Sequence, residues 1–288
     1  MATKQELPSL PETVVAYPVV ANITFPEGPI FDDAGYLYFV NYLETGTLGR
    51  MAPDGTVEVW LHAGGQVNGL KYDGRGHVIG TDYGLKRVTR FDLVTRNIQV
   101  LTDNFEGNAY LGPNDLCLDQ SGNVYFTDPG DDSDAQHGAV YRIAMGLNNE
   151  PGGLRQLDDE LPGPNGLAIH PDGSRFYLAL TGDNSVIMYD HSVDGTLSNR
   201  RLLHQFHDDS VDGMMFDEFN RLYVARWTHG TIDVLDSDTG ALQASYPMGG
   251  ECVTNMCWWG TSLYVTVAGR HSIERLDIGV RGADVVPR

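Results

Sequence analysis

Apolar residues in this chain fall into short runs, rich in Val, Tyr, Phe and Leu, that break at turn-forming clusters. Tyr36–Asn41 and Asn123–Thr127 are two such runs, each entered through a glycine turn, Asp32–Gly35 and Asp119–Gly122 respectively. Runs of this length, bounded by Gly, Asp and Pro, are the pattern of strands joined by tight turns. No stretch holds a 3.6-residue period over three turns, so the pattern predicts an all-β chain.

The runs repeat as a unit. PEGPIFDDAGYLYFVN from Pro26 is echoed by VNGLKYDGRGHVIGTDYG from Val67 and PNDLCLDQSGNVYFTDPG from Pro113. PNGLAIHPDGSRFYLALTG from Pro164, VDGMMFDEFNRLYVARWTHG from Val211 and TNMCWWGTSLYVTVAG from Thr254 follow. Each unit continues with a third strand, such as LGRMA or VTRFD, and the first five with a fourth, such as Thr56–Trp60 after the turn at Pro53–Gly55. Four strands per repeat, six times over, predict a six-bladed β-propeller with four antiparallel strands per blade, a single domain over residues 1–288 with 1–12 as a flexible lead. Two segments compete for the outer strand of the last blade, Thr13–Val20 at one end of the chain and Ala283–Pro287 at the other.

The second residue of each copy is Glu27, Asn68, Asn114, Asn165, Asp212 and Asn255, spaced by 41, 46, 51, 47 and 43 residues. Innermost strands run along the channel of a propeller, so these six side chains are expected at one height around its axis. Two carboxylates brought together there repel unless a positive charge lies between them. None of the six is Lys, Arg or His. A divalent cation would neutralise the pair and amide oxygens would complete its shell; all-oxygen donors suit Ca²⁺ first, then Mg²⁺ or Mn²⁺.

Composition narrows the partners. With 19 Lys and Arg against 39 Asp and Glu the net charge is −20, which opposes nucleic acid and anionic membrane alike. No apolar run is long enough to span a bilayer and the start, MATKQELPSLPETVV, has no signal-peptide pattern. Three scattered cysteines give neither a disulfide framework nor a zinc motif, and a cytoplasmic location with a small-molecule substrate is expected. The acidic stretch Asp131–Asp134 reads as a solvated loop, and Cys117 and Cys257 as core.

PEGP at Pro26–Pro29, GPNDL at Gly112–Leu116, YFTDP at Tyr125–Pro129, PNGLA at Pro164–Ala168, VDG at Val211–Gly213 and TNMCWWG at Thr254–Gly260 together resemble the SMP-30/gluconolactonase/luciferin-regenerating-enzyme-like family, which includes calcium-dependent lactonases and diisopropyl fluorophosphatase. The resemblance implies Glu27, Asn165 and Asp212 as metal ligands, with Asn114 a fourth ligand or a substrate-positioning amide. It implies a metal that polarises a lactone carbonyl, with Asp212 as general base, and relatives of this kind accept Mg²⁺, Mn²⁺, Fe²⁺ or Zn²⁺ besides Ca²⁺. Phosphotriester or aryl-ester hydrolysis, a non-hydrolytic reaction on the bound carbonyl, and a binding propeller with a structural metal are the alternatives. Sugar-acid lactonases of this type often carry Arg where this chain has Gly112, so the expected pocket is less basic. Tyr83, Tyr110, Trp227 and Trp258 are expected near its mouth.

Overall fold

A computed structural model describes residues 8–130, 137–146, 149–207 and 210–283. Six four-stranded antiparallel sheets stand in a circle. Their innermost strands are Ile30–Phe31, Val67–Tyr72, Leu116–Leu118, Pro164–Ile169, Val211–Phe216 and Val253–Trp259. In blades one to five each is followed outward by the next three strands of its repeat, as in blade two, where Val67–Tyr72, His77–Asp82, Arg87–Asp92 and Ile98–Thr102 pair in order. An extra hairpin, Asn104–Phe105 with Asn108–Ala109, follows that blade.

Blade six is completed from the other end of the chain. Tyr17–Val20 pairs antiparallel with Ser272–Asp277, Tyr17 opposite Arg275 and Val20 opposite Ile273, so the N-terminal candidate supplies the outer strand. The C-terminal candidate is described only at Ala283, whose amide donates to the Phe216 carbonyl at 3.0 Å; the rest of it lies outside the described residues. Within the expected lead, residues 8–12 are held on blade five: the Pro8 carbonyl accepts from Arg221 Nη1 at 3.0 Å and the Pro11 carbonyl from the Tyr246 hydroxyl at 3.1 Å.

The core is divided into six clusters, one in each gap between neighbouring blades. Tyr38, Trp60, Leu70 and Val78 fill the gap between blades one and two; Phe31, Phe39, Cys257 and Ile273 fill the one where blade six meets blade one. Burying both faces of each middle strand explains why sequences such as Leu37–Val40 and Arg221–Arg226 are buried throughout. Cys117 and Cys257 are buried free thiols, as expected of core residues. Among the described residues no helix is long and apolar enough to cross a membrane.

Candidate metal centre and active site

The six inner strands enter the channel at the same end, and five of the six repeat positions meet there. Glu27, Asn68, Asn114, Asn165 and Asp212 line a cavity of about 300 Å³ together with Phe25, Thr181, Ser210, Val211 and Trp227. Asn255 does not line the cavity: its Nδ2 donates to Asp115 Oδ2 at 3.2 Å, its Oδ1 accepts from the Met256 amide at 2.9 Å, and its side-chain amide also acts on the Glu27 carboxyl, lowering it.

Two repeated devices fix the backbone of this ring. Threonine hydroxyls on second strands reach across to the next blade: Thr81 donates to the Asn114 carbonyl, and Thr127 to the Asn165 carbonyl at 2.9 Å. Between blades six and one the bond comes from the inner strand: Thr254 donates to the carbonyl of Pro26, the residue before Glu27, at 2.9 Å. The second device lies fourteen residues after each of the first three ring positions, at Asn41, Asp82 and Asp128. Each side chain bonds the backbone two residues before its own ring position. Asn41 Nδ2 donates to the Phe25 carbonyl at 2.9 Å, Asp82 Oδ1 accepts from the Gln66 amide at 2.9 Å, and Asp128 Oδ1 accepts from the Gly112 amide at 2.8 Å. Asp128 Oδ2 also accepts from the Leu111 amide at 2.7 Å, so a buried carboxylate grips the loop that delivers Asn114.

The ring side chains then divide by what they bond. Asn68 Nδ2 donates to the Asn114 carbonyl at 3.3 Å, which commits that amide to the scaffold. Glu27, Asn165 and Asp212 line one cavity; Glu27 Oε2 accepts from the Gly28 amide at 3.0 Å, and the Asp212 carboxylate accepts from the Gly213 amide and the Asn165 side chain. Burial first, and the nearby Asp115 carboxylate second, push the Glu27 carboxyl up to about 8. Asp212 is pushed well above the carboxylate range by burial, then by Glu27 and Asp115. Asn165 Oδ1 is buried without a hydrogen-bond partner, an arrangement that ordinarily costs a few kcal/mol and calls for a missing donor or cation.

Asp115 was not singled out in the sequence. It occupies the place where four of the other five repeats have glycine (Gly28, Gly69, Gly166, Gly213) and puts a third carboxylate under the ring. Only the bare backbone of Gly69 leaves it room, since a Cβ there would lie 2.7 Å from Asp115 Oδ1. The one visible sign was that substitution, Asp for Gly, in an otherwise regular repeat. Lys71, three residues beyond Asn68, is the positive group that acts on both Glu27 and Asp115, lowering their carboxyls against the effect of burial.

The aromatic expectations separate. Trp227 lines the cavity and packs at 6.0 Å and 33° against Phe25, which the sequence had not suggested. Tyr83 is not among the residues that line the cavity; it is exposed on the loop after Asp82, at the ring end of blade two, its ring over Gly112 so closely that a Cβ at 112 would collide with it. Tyr110 does not reach the mouth: it is buried between Phe126 and Tyr141, with its hydroxyl 2.8 Å from Thr102 Oγ1. Its large apolar ring fills the gap between blades two and three, where Leu101 and Leu116 also pack. Trp258 is at the opposite end of the channel, because three residues along an extended strand from Asn255 carry the chain about 10 Å. Asp131–Asp134 lies outside the described residues.

The donor set fits a hard divalent cation: two carboxylates kept from ionising together, and an amide oxygen with nothing to accept from. Among the described residues no three His, Cys, Asp or Glu side chains cluster as a metal cage, which leaves a mixed carboxylate and amide set as the one to consider.

Comparison with known proteins agrees with this architecture. The model of the SMP-30/gluconolactonase/LRE-like region matches residues 25–269, from the first ring strand to the last. The gluconolactonase of Zymomonas mobilis subsp. mobilis is 26% identical over 290 aligned positions, covering 90% of this chain and 80% of that protein. The diisopropyl-fluorophosphatase of Loligo vulgaris is 28% identical over 254 positions, covering 77% and 78%. The solved structure of a gluconolactonase from Xanthomonas campestris superposes with a TM-score of 0.80 at 25% identity, over 92% of this chain and 89% of that one. The chain belongs to the SMP-30/gluconolactonase/LRE-like family of six-bladed propellers.

Proposed function

We propose that the protein is a metal-dependent lactonase whose reaction takes place in the cavity at the ring end of the channel. The observation that carries this reading is the convergence of Glu27, Asp212 and the unpartnered Asn165 Oδ1 in one cavity. The family's gluconolactonases supply the reaction class.

Glu27, Asn165 and Asp212, with Asn114 as a fourth donor, would hold the cation, Ca²⁺ by preference of donor type. Bound there, it supplies Lewis-acid polarisation of a carbonyl oxygen and a fixed positive charge. The remaining work belongs to the chain. An oxygen of the Asp212 carboxylate takes a proton from water as the water oxygen bonds to the carbonyl carbon. The ring C–O bond then breaks, and the proton returns from Asp212 to the departing alkoxide oxygen. The product is a hydroxy acid, which ionises and releases a proton to the medium. Asn114, whose side chain makes no hydrogen bond among the described residues, is free to orient substrate or ligand oxygen. Phe25 and Trp227 wall the cavity and keep bulk water from one side of the reacting carbon.

The test is proton release from γ- and δ-lactones, aryl lactones and a phosphotriester, with metal-stripped protein and after addition of Ca²⁺, Mg²⁺, Mn²⁺, Fe²⁺ or Zn²⁺. Metal-restored lactone turnover is expected. Asp212→Asn should lower kcat by about 10²–10⁴, the usual contribution of a general base. Turnover of the phosphotriester alone would move the assignment toward the fluorophosphatase relative. Full activity in Asp212→Asn would remove Asp212 as base.

A further inference from the structure

We infer that the lactones taken by this site are neutral and carry an apolar substituent, an alkyl chain or aryl group, received by a hydrophobic collar around the mouth. The inference rests on the lactonase reading for its chemistry, and on the collar alone for its binding.

Single exposed hydrophobic residues are ordinary, but a group of them around one opening is not. On the loops at the ring end of blades one to three, Phe25 is 42% exposed, Tyr83 37%, Leu85 47% and Leu111 43%. Phe25 and Leu111 precede Glu27 and Asn114 by two and three residues, and Tyr83 and Leu85 follow the clamp residue Asp82. None of these loops is loose. The Tyr83 amide donates to the Gln66 carbonyl at 3.0 Å, the Leu85 amide to Asp82 Oδ1 at 3.0 Å and the Leu111 amide to Asp128 Oδ2 at 2.7 Å. The collar is therefore held in place by the same carboxylates that set the ring, and ordering it costs a ligand little.

Charge and hydrogen bonding point the same way. Among the described residues no Lys, Arg or His lines the cavity, so apart from a cation whose charge Glu27 and Asp212 already offset, a carboxylate-bearing lactone would find no basic side chain to pair with in a net −20 protein. A polyhydroxylated ring fares little better. The Asn68 amide is spent on the Asn114 carbonyl, and the Thr181 hydroxyl on the Val211 carbonyl at 2.7 Å. At Gly112, the Tyr83 ring occupies the space from which a longer polar side chain would have to reach the ring.

The experiment has a kinetic arm and a binding arm. In the first, kcat/KM is compared for γ-butyrolactone, its 4-methyl, 4-propyl and 4-hexyl derivatives, and glucono-δ-lactone. An increase of roughly threefold per methylene over the first few carbons is expected, somewhat below the value for complete burial. In the second arm, 5-hexyl-2-pyrrolidinone, a lactam that resists hydrolysis, is titrated into metal-stripped protein by calorimetry. It should bind at least tenfold more tightly than 2-pyrrolidinone, and the Leu85→Ser/Leu111→Ser double variant should bring the two affinities within about threefold. The same variant should flatten the chain-length series. Chain-length-independent binding, or a preference for glucono-δ-lactone, would overturn the inference. Lactam binding that follows the collar in a protein without lactone turnover would instead retain the apolar class and reject the reaction.

Discussion

The two ends of the channel are built from the same six strands and differ in nearly every chemical respect. At the ring end, a cavity of about 300 Å³ gathers Glu27, Asn114, Asn165 and Asp212. At the far end, one of about 340 Å³ is lined by residues two to four positions further along those strands, Phe31, Leu167, Met214 and Trp258 among them. Its charged lining residues come in both signs, Lys71 and Arg281 with Asp32 and Asp33, and Asp115 bonds Asn255 between the two ends. The same strands thus carry acids and amides at one height and larger apolar side chains, with charges of both signs, at the next. Gly28 and Gly166 let successive inner strands approach until a Cβ would meet the neighbouring backbone, and Gly69 and Gly213 leave room for the side chains of Asp115 and Asn255. What sets the ring end apart is that its two acids share one cavity with no basic side chain among its described lining residues, at an expense in stability that a cation can relieve.

That expense is measurable in metal-free protein, and it is the largest effect expected. The Glu27 carboxyl has an ordinary value of 4.5 and is raised to about 8 in the fold. Between those values the folded protein keeps a proton that the unfolded chain has released, so stability falls as pH rises through this window. Asp212 is raised by the same causes and adds to the slope. The metal-free melting temperature should drop on the order of 10 °C from pH 5 to pH 8, given about 1.4 kcal/mol per pKa unit. Saturating Ca²⁺ should abolish most of the drop, and Glu27→Gln should remove the larger part of it without metal. A metal-free protein equally stable at both pH values would mean that the carboxylates are not confined together.

This contrast also explains how much could be read beforehand. The repeats gave six blades because every unit had to bury both faces of its middle strands, and that leaves a mark in each copy. The ring residues were legible for the same reason, since each stands at a fixed place in a repeat. What escaped were features that depend on distance across the channel. Asp115 differs from its repeat equivalents by a single substitution, and Tyr110 belongs in the core because Phe126 and Tyr141 surround it. The clamps at Asn41, Asp82 and Asp128 do keep a constant fourteen-residue offset, but only their hydrogen bonds distinguish them from turn formers.

The clamps allow a sharper comparison between blades two and three. Asp128→Ala orphans the Leu111 and Gly112 amides, and Asp82→Ala those of Gln66 and Leu85. Each should cost about 2–3 kcal/mol of stability, the penalty for leaving buried donors unpaired. Their effects on Ca²⁺ should differ. Asp128 sets the loop of Asn114, whereas Asp82 sets that of Asn68, whose amide is already spent on the backbone. Calorimetric titration should show Ca²⁺ affinity reduced about tenfold by Asp128→Ala and less than about threefold by Asp82→Ala, with Asp128→Asn recovering part of the loss. Equal effects from both would show that Asn114 is not a ligand.

The smallest expected effect concerns the Lys71 ammonium. Lys71 lowers the carboxyls of Asp115 and Glu27. A positive charge that favours those carboxylates must also repel a divalent cation held by one of them. Removing it without loss of length or apolar contact, as in Lys71→Met, should therefore tighten Ca²⁺ binding, while the empty carboxylates become harder to ionise. These effects oppose each other, so the net gain should be only about two- to fivefold at low salt and neutral pH. Raising pH favours the ionised Glu27 in both proteins and so shrinks the opposing protonation cost, and the gain should grow with pH and shrink with salt. An affinity that falls at every pH would mean that the ammonium acts chiefly by holding Asp115 in place beneath the ring.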